Sequence, residues 1–524
     1  MTLAEFSARC RLADAGKALL DFPDRNRIIE KAHDGRGPEL IREIPDTKDA
    51  RMPDRPNVLI LMSDHTNAQA LAPGSQCLSP NCDQLAAEGV RFARCYTTNA
   101  ICSPARASLM TGTYPSTHGM WDCTHTQRRQ WVNVSDRLVY FSQRFAEAGY
   151  ATGYFGKWHV EQTFELEPFG WQESSHERDK DKVHAVFPKA IPGTEVKVAK
   201  EGYNDLLLAA AGRDEDCPTH PAFDRGIDFI RRSAAGGKPW CCFVSAAEPH
   251  DPYIPPRRFL DMYDVPNIRT SPTLRDEPAG KPEVVRRMQA LWRELTDEQW
   301  KFISAAYWAT ITFLDSEAGR LLDVLGQIGQ YDNTIIVVTS DHGDMLGAHG
   351  LHTKGIGTAY EEVYNIPLIL AGPGVPARGQ DDDTLTSLVD VGPTLLDLCG
   401  LSPLPTAHGR SLRPVLKGAA DPSTWRDAFA EFFGQRFVYT QRLVWHWPWK
   451  YVFSPGGVDE LYNLAADPHE TVNLAGDPAY RDVLVGMCKR MWRKIRQIGD
   501  ESLFNSHYAT LRTAPVGPLS ALEQ

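Results

Sequence analysis

The chain contains no Cys-x-x-Cys pair and no zinc-finger spacing, and its eleven cysteines are scattered and odd in number. That excludes a disulfide framework and fits mostly unpaired thiols in a reducing compartment, so a cytoplasmic location is expected. No apolar run approaches the length of a membrane span, so no membrane partner is expected. The first residues carry charges in every apolar stretch and lack a basic segment followed by an apolar one, so no secretory signal is expected. Gly-x-x-x-x-Gly-Lys-Ser/Thr, Gly-x-Gly-x-x-Gly and Gly-x-Ser-x-Gly patterns are absent, which disfavours nucleotide-binding enzymes and serine hydrolases. Positive charge is in deficit: 56 Lys and Arg against 67 Asp and Glu give a formal net charge of -11, which argues against nucleic acid as a partner. No internal repeat or low-complexity tract stands out.

What is present is an ordinary globular composition, 42% apolar and 23% charged, over 524 residues, enough for more than one folded unit and a large core. Residues 1–52 form a polar extension with some helical spacing, expected to pack on the body or on a second subunit. From Asn57 short apolar runs alternate with helical patterns, which predicts an α/β fold with a large, mostly parallel central sheet covered by helices on both faces. The runs are Asn57–Met62, Ala151–Phe155, Trp240–Ser245 and Thr334–Thr339, with helical patterns at Asp136–Ala148, Glu298–Ile328 and Ser387–Leu398. After Gly409 aromatic-rich strand patterns and a final helix from Tyr480 to Ile498 predict a smaller C-terminal α+β subdomain. The divisions expected are 1–52, 53–410 and 411–524.

The ends of the four runs carry the chemistry. Ser63-Asp64-His65 closes the first, and the same tripeptide, Ser340-Asp341-His342, closes the last. Gly156, Lys157 and His159 follow the second, and Glu248, His250 and Asp251 follow the third. Ligands bind at the carboxyl ends of strands in open α/β sheets, so four such ends predict one polar site. Two Asp-His pairs offer the mixed oxygen and nitrogen donors that a divalent cation takes. A fifth piece, Cys102-Ser103-Pro104-Ala105-Arg106, sets a cysteine just before a helix start marked by Pro104, where backbone N–H groups favour an anion. Arg106 adds a planar charge able to bind two oxyanion oxygens, and Cys102 reads either as a nucleophile or as a buried thiol.

Cys102-x-Pro104-x-Arg106, with Leu109, Thr111 and Gly112, resembles the Cys-x-Pro-x-Arg signature of the sulfatase family. Gly149–His159, Ser340–Gly350 with Lys354, and Glu460-Leu-Tyr-Asn-Leu followed by Asp467-Pro-His-Glu resemble further segments of that family in order and spacing. The resemblance implies an alkaline-phosphatase-like fold and hydrolysis of sulfate monoesters, aryl sulfates foremost. It implies that a formylglycine-generating enzyme converts Cys102 to formylglycine (3-oxoalanine), whose metal-bound hydrate attacks sulfur through a covalent sulfoenzyme intermediate. Asp64, Asp341 and His342, with residue 102, would hold the metal. Arg106 and Lys157 would orient residue 102, His250 and Lys354 would hold the sulfate and protonate the leaving oxygen, and His159 would take a proton from the second hydroxyl. His65 stands where a second carboxylate is common and is either a ligand or an outer donor. Calcium is the usual metal, and the imidazoles make manganese competitive.

A phosphonate monoester or phosphodiester hydrolase with the same machinery is one alternative, and a catalytically inactive binding protein on the scaffold is another. The substrate's alcohol part is expected to meet loops at 165–202 and 251–297, and a homo-oligomer is expected from the extension and tail. His118 and His349 read as structural or substrate-side positions, Asp315 and Glu317 as solvated or capping charges, Cys241 and Cys242 as buried small apolar residues, and His446 as packing.

Overall fold

The computed structural model describes residues 55–521 apart from 127–133, 135–136, 164, 177–187, 380 and 505–507, so the expected N-terminal extension and part of the expected substrate loops lie outside the described residues. In chain order the main sheet uses β1 (Asn57–Ser63), β2 (Val90–Arg91), β3 (Ala151–Gly156), β4 (Glu173–His176), β5 (Trp240–Ser245), β6 (Thr334–Ser340) and β7 (Leu368–Ala371). Their spatial order is β2-β7-β6-β1-β5-β3-β4. β1 lies at the centre, parallel to both β5 and β6, while β7 runs against β6 and β2. β5 and β6 are buried along their whole length, which is why they read as continuous apolar runs rather than as alternations.

Alternation assigns the two faces. Val58, Ile60, Met62, Cys241, Phe243, Ile335 and Val337 share a core with α2 (Cys102–Thr111), α3 (Phe141–Glu147) and α6 (Val391–Leu398). On the opposite face lie α1 (Pro80–Glu88), α4 (Pro221–Ala235) and α5 (Asp297–Gln327). There Gly226 of α4 lets the helix approach β5 closely, since a Cβ at that position would meet Val244 Cγ2 at 2.7 Å. Cys241 and Cys242 thus pack on opposite faces as small apolar groups.

α5 starts at a capping box, Thr296 with Gln299, and is enclosed on most of its circumference. The solvated reading of Asp315 and Glu317 is therefore corrected: both are buried. Asp315 accepts from the N–H groups of Asn81 (3.1 Å) and Cys82 (2.8 Å) at the start of α1, and Glu317 accepts from His220 N (3.0 Å) at the start of α4. They cap neighbouring helices, a role the sequence offered as the alternative.

The C-terminal sheet is a meander of β8 (Asp427–Gly434), β9 (Val438–His446), β10 (Trp449–Phe453) and β11 (Glu460–Asn463). Phe429, Val444, Tyr451 and Phe453 pack on α7 (Arg481–Ile498), while Ala430, Phe432, Leu443 and Trp445 pack with Ile101 and Tyr364. His446 pairs across the strands with Trp449, and its Nδ1 lies 2.6 Å from Asp427 Oδ1. No helix among the described residues is long and apolar enough to cross a membrane.

His118 is fully buried and neutral by construction. Its Nδ1 accepts from Met120 N (3.1 Å), so Nε2–H donates to Ser108 Oγ (3.0 Å), and burial pushes its pKa down to about 3. His349, buried and stacked on Tyr360 (4.1 Å between ring centroids), is pushed by burial to about 2. The unfolded chain takes these protons below its ordinary value of about 6.5, and the folded chain does not until far lower. Stability conferred by neutral His118 is therefore present above pH ~6.5 and lost as pH falls toward 3, at ~1.4 kcal/mol per pH unit. Urea unfolding between pH 6.5 and 4.5 checks this: the slope of stability against pH should fall by about one proton in His118→Gln. An unchanged slope contradicts the assignment.

Candidate active site

Cys102 is the first residue of α2, one step further in than the expected position before the helix start. Asn99 Oδ1 accepts from Ile101 N (2.8 Å) and fixes the entry, and Gly112 in the left-handed region (φ 68°) closes the helix. The helix is buried throughout, so Cys102 is delivered to the carboxyl edge of the sheet by a rigid, fully packed element.

There the strand ends meet it. Cys102 Sγ lies 3.2 Å from His342 Nε2, 3.6 Å from Asp64 Oδ1 and 3.8 Å from Lys157 Nζ. His342 Nδ1 is 3.0 Å from Gly343 O, which can only accept, so Nδ1 carries a proton and Nε2 is the atom that faces Cys102. Asp64, Asp341, His342 and Cys102 bring ligand atoms within 4.8 Å of one another, a hard and borderline donor set that fits a divalent cation.

Two buried carboxylates and a thiol need cations, and Arg106 and Lys157 supply them. Arg106 Nε donates to Asp341 Oδ2 (2.7 Å) and Nη2 to Asp64 Oδ2 (3.1 Å), while Nη1 donates to Lys157 O (2.9 Å) and Ser245 Oγ (2.8 Å). The expectation that Arg106 binds oxyanion oxygens is therefore corrected: its donors clamp the two carboxylates and the ends of β3 and β5. Lys157 Nζ sits 2.5 Å from Asp64 Oδ2. Burial and the Cys102 sulfur push the Asp64 pKa up, but Lys157 and Arg106 outweigh them and hold it well below the usual carboxylate range. Burial likewise raises the Cys102 thiol, and the Cys123 S–H, Lys157, Lys354 and His342 more than reverse it.

A second cluster flanks the first. Lys354 Nζ lies 2.9 Å from His250 Nε2 and in tighter contact with His65 Nε2. His250 Nδ1 donates to Asp251 O (2.8 Å), leaving Nε2 to accept from Lys354. His65 Nδ1 donates to Asp344 Oδ2 (3.0 Å), which also accepts from Tyr253 OH (2.7 Å). His65 stands at φ 76°, held there by Tyr307 OH, which donates to its carbonyl at 2.7 Å and accepts from Asn67 N at 2.9 Å. Its Nε2 is also 3.4 Å from Asp64 Oδ1, between the metal-type ligands and Lys354.

The structure thus brings Asp64, His65, Cys102, Arg106, Lys157, His250, Asp341, His342 and Lys354 into one site. His159 stands at its rim, with Nε2 3.2 Å from His125 Nδ1. Glu248 leaves the group, since its carboxylate faces His220 Nε2 (3.1 Å) on the side of α4. Sequence reasoning missed Asp344, although it closes the run Ser340-Asp-His-Gly-Asp, and it missed Ser245, Cys123 and His125, which no local pattern marks.

Residues 56–401 match the family model described as Sulfatase, and residues 347–497 match N-sulphoglucosamine sulphohydrolase, C-terminal. The chain belongs to the sulfatase family and is a sulfuric ester hydrolase of the alkaline-phosphatase superfamily. It is 30% identical over 470 residues to an uncharacterized sulfatase, YidJ, of Escherichia coli, covering 87% of this chain and 90% of that protein. It is 27% identical over 500 residues to an arylsulfatase of Clostridium perfringens, covering 89% and 99%. Among solved structures, a phosphonate monoester hydrolase from Silicibacter pomeroyi superposes with a TM-score of 0.70 at 25% identity, covering 86% of this chain and 97% of that one.

Proposed function

We propose that the protein hydrolyses sulfate monoesters of aryl alcohols, with residue 102, as formylglycine, the nucleophile. The observation that carries this reading is the convergence of Cys102 Sγ with Asp64 Oδ1 and His342 Nε2 at the head of a buried helix. The sulfur stands for the hydroxyl oxygens of the matured residue. Asp64, Asp341 and His342 would hold a divalent cation, which would supply Lewis acidity and lower the pKa of a hydroxyl on residue 102. The mixed donors favour manganese as well as calcium.

The chain's own groups do the rest. Arg106 fixes both carboxylates, so the ligand oxygens need no reorganisation during the reaction. Lys157 and Lys354 place positive charge on either side of residue 102, where sulfate oxygens gather charge. Lys354, with His250 as its acceptor, is the proton donor to the leaving oxygen, and His159 is the acceptor for the second hydroxyl's proton. Asp344 holds the His65 ring, which keeps Lys354 aimed at the site. The aryl preference is supported by Trp121, 43% exposed, which stacks on Phe433 at 4.8 Å and 5° two residues from Cys123. The free, buried state of the ten described cysteines supports a reducing compartment.

Steady-state kinetics on 4-nitrophenyl sulfate, choline sulfate and phenyl phosphonate monoesters test the reading. The aryl sulfate should have the highest kcat/KM, and Trp121→Ala should lower it roughly 3–10-fold, the worth of one aromatic contact. Preference for choline sulfate, with no effect of Trp121→Ala, contradicts the aryl assignment. Likeness to the Silicibacter enzyme supports phosphonate monoesters as a second substrate class, and a kcat/KM above that for sulfate would make that reading the primary one.

A further inference from the structure

We propose that Cys123, His125 and His159 form a second metal site at the rim of the pocket, built for a borderline cation such as Zn2+, whose occupation blocks turnover. This rests on His159 serving the sulfatase reaction. The three ligand atoms lie within 4.8 Å of one another, a grouping separate from the Asp64, Asp341 and His342 set. His125 Nδ1 and His159 Nε2 are 3.2 Å apart. Two nitrogens bound tetrahedrally to zinc at about 2.0–2.1 Å stand roughly 3.3–3.4 Å apart, so the pair is already spaced for the ion. The donors are one thiol and two imidazoles, where the inner site offers two carboxylates and one imidazole. Softness therefore sorts the ions: calcium has little affinity for the rim, and zinc prefers it.

Residues 122–126, which carry two of the three ligands, are tied down by hydrogen bonds. Cys123 N donates to Asp122 Oδ1 (2.7 Å), Thr124 N donates to Ser103 Oγ (3.1 Å) in the first turn of α2, and Thr126 N and Oγ1 both donate to Cys123 O (3.0 and 2.8 Å). Cys123 is buried and His125 faces solvent, so an ion has an entry path and a dry wall. Without metal, Arg436 Nη2 donates to His125 Nε2 (3.5 Å), so His125 Nδ1–H donates to His159 Nε2. The ion replaces that bridging proton. The His125 proton moves to Nε2, the exposed Arg436 side chain swings away, and the Cys123 S–H gives its proton to solvent as the sulfur–metal bond forms. The hydrogen bond from His125 can break and free the His159 Nε2 lone pair for proton transfer, whereas a bound ion holds that lone pair.

Cobalt(II) reads the site without catalysis. In Cys102→Ala protein the inner site holds no sulfur, so a thiolate-to-cobalt charge-transfer band with tetrahedral d–d bands must come from the rim. Both should vanish in Cys102→Ala/Cys123→Ser, and His125→Ala should weaken cobalt binding about tenfold or more. In matured enzyme ZnCl2 should inhibit, and His125→Ala should raise the half-inhibitory zinc concentration about tenfold or more. His125 is exposed, so its variant stays folded if Cys123→Ser does not. Absence of the charge-transfer band in Cys102→Ala, or its survival in both rim variants, overturns the site. Failure of the sulfatase reading shows instead as wild-type protein without sulfate turnover, which leaves the cobalt spectrum unchanged.

Discussion

Replacing Arg106 with leucine should lower stability by about 3–5 kcal/mol and reduce kcat/KM on an aryl sulfate at least 10²–10³-fold. The guanidinium is 1% exposed and makes four hydrogen bonds, to Asp341, Asp64, Lys157 O and Ser245. Leucine fills comparable space but leaves two buried carboxylates with Lys157 as the cation at hand. Removing one partner of a buried ionic network costs more than the network's net worth, because the remaining charges stay buried and uncompensated. Lysine should rescue little, since a single ammonium cannot reach acceptors on β3, β5 and both carboxylates. Urea unfolding and steady-state kinetics on the same preparations separate the two effects. A leucine variant within about 1 kcal/mol of wild type that retains activity would show that the clamp is dispensable.

The second large effect is expected at Lys354. Its ammonium touches His250 Nε2 and His65 Nε2, and it is buried, with Cys102, Asp64 and Asp251 holding its pKa above the ordinary value against the burial that lowers it. A proton donor matters most when the leaving alcohol is a poor one. Lys354→Met should therefore lower kcat about 10²–10⁴-fold on an alkyl sulfate and distinctly less on 4-nitrophenyl sulfate, whose leaving oxygen needs no proton. Equal losses on both substrates would assign Lys354 to charge balance alone.

The strand ends were legible because β1, β5 and β6 are buried on both faces, so unbroken apolar runs stopped abruptly at Asp and His. The duplicated Ser-Asp-His was legible for the same reason: β1 and β6 pair in register, Ser63 beside Ser340, so the tripeptides leave the sheet side by side. The work of Arg106 was not legible, because its acceptors come from Asp64, Lys157, Ser245 and Asp341, and nothing near Cys102 announces them. Asp315 and Glu317 misled for a related reason. An amphipathic pattern implies one wet face, whereas α5 has the starts of α1 and α4 packed against it, so its charges meet backbone N–H groups instead of water. The pairing of His125 with His159 depends on where a loop returns, which spacing does not encode.

Mass spectrometry of the peptide spanning Cys102, on protein made in a host with an active formylglycine-generating enzyme and assayed beside Cys102→Ala, tests the central claim. The account predicts conversion of residue 102 to the aldehyde or its hydrate, and aryl sulfate turnover that Cys102→Ala abolishes. An unconverted thiol, with sulfate hydrolysis absent or unaffected by Cys102→Ala, would contradict it.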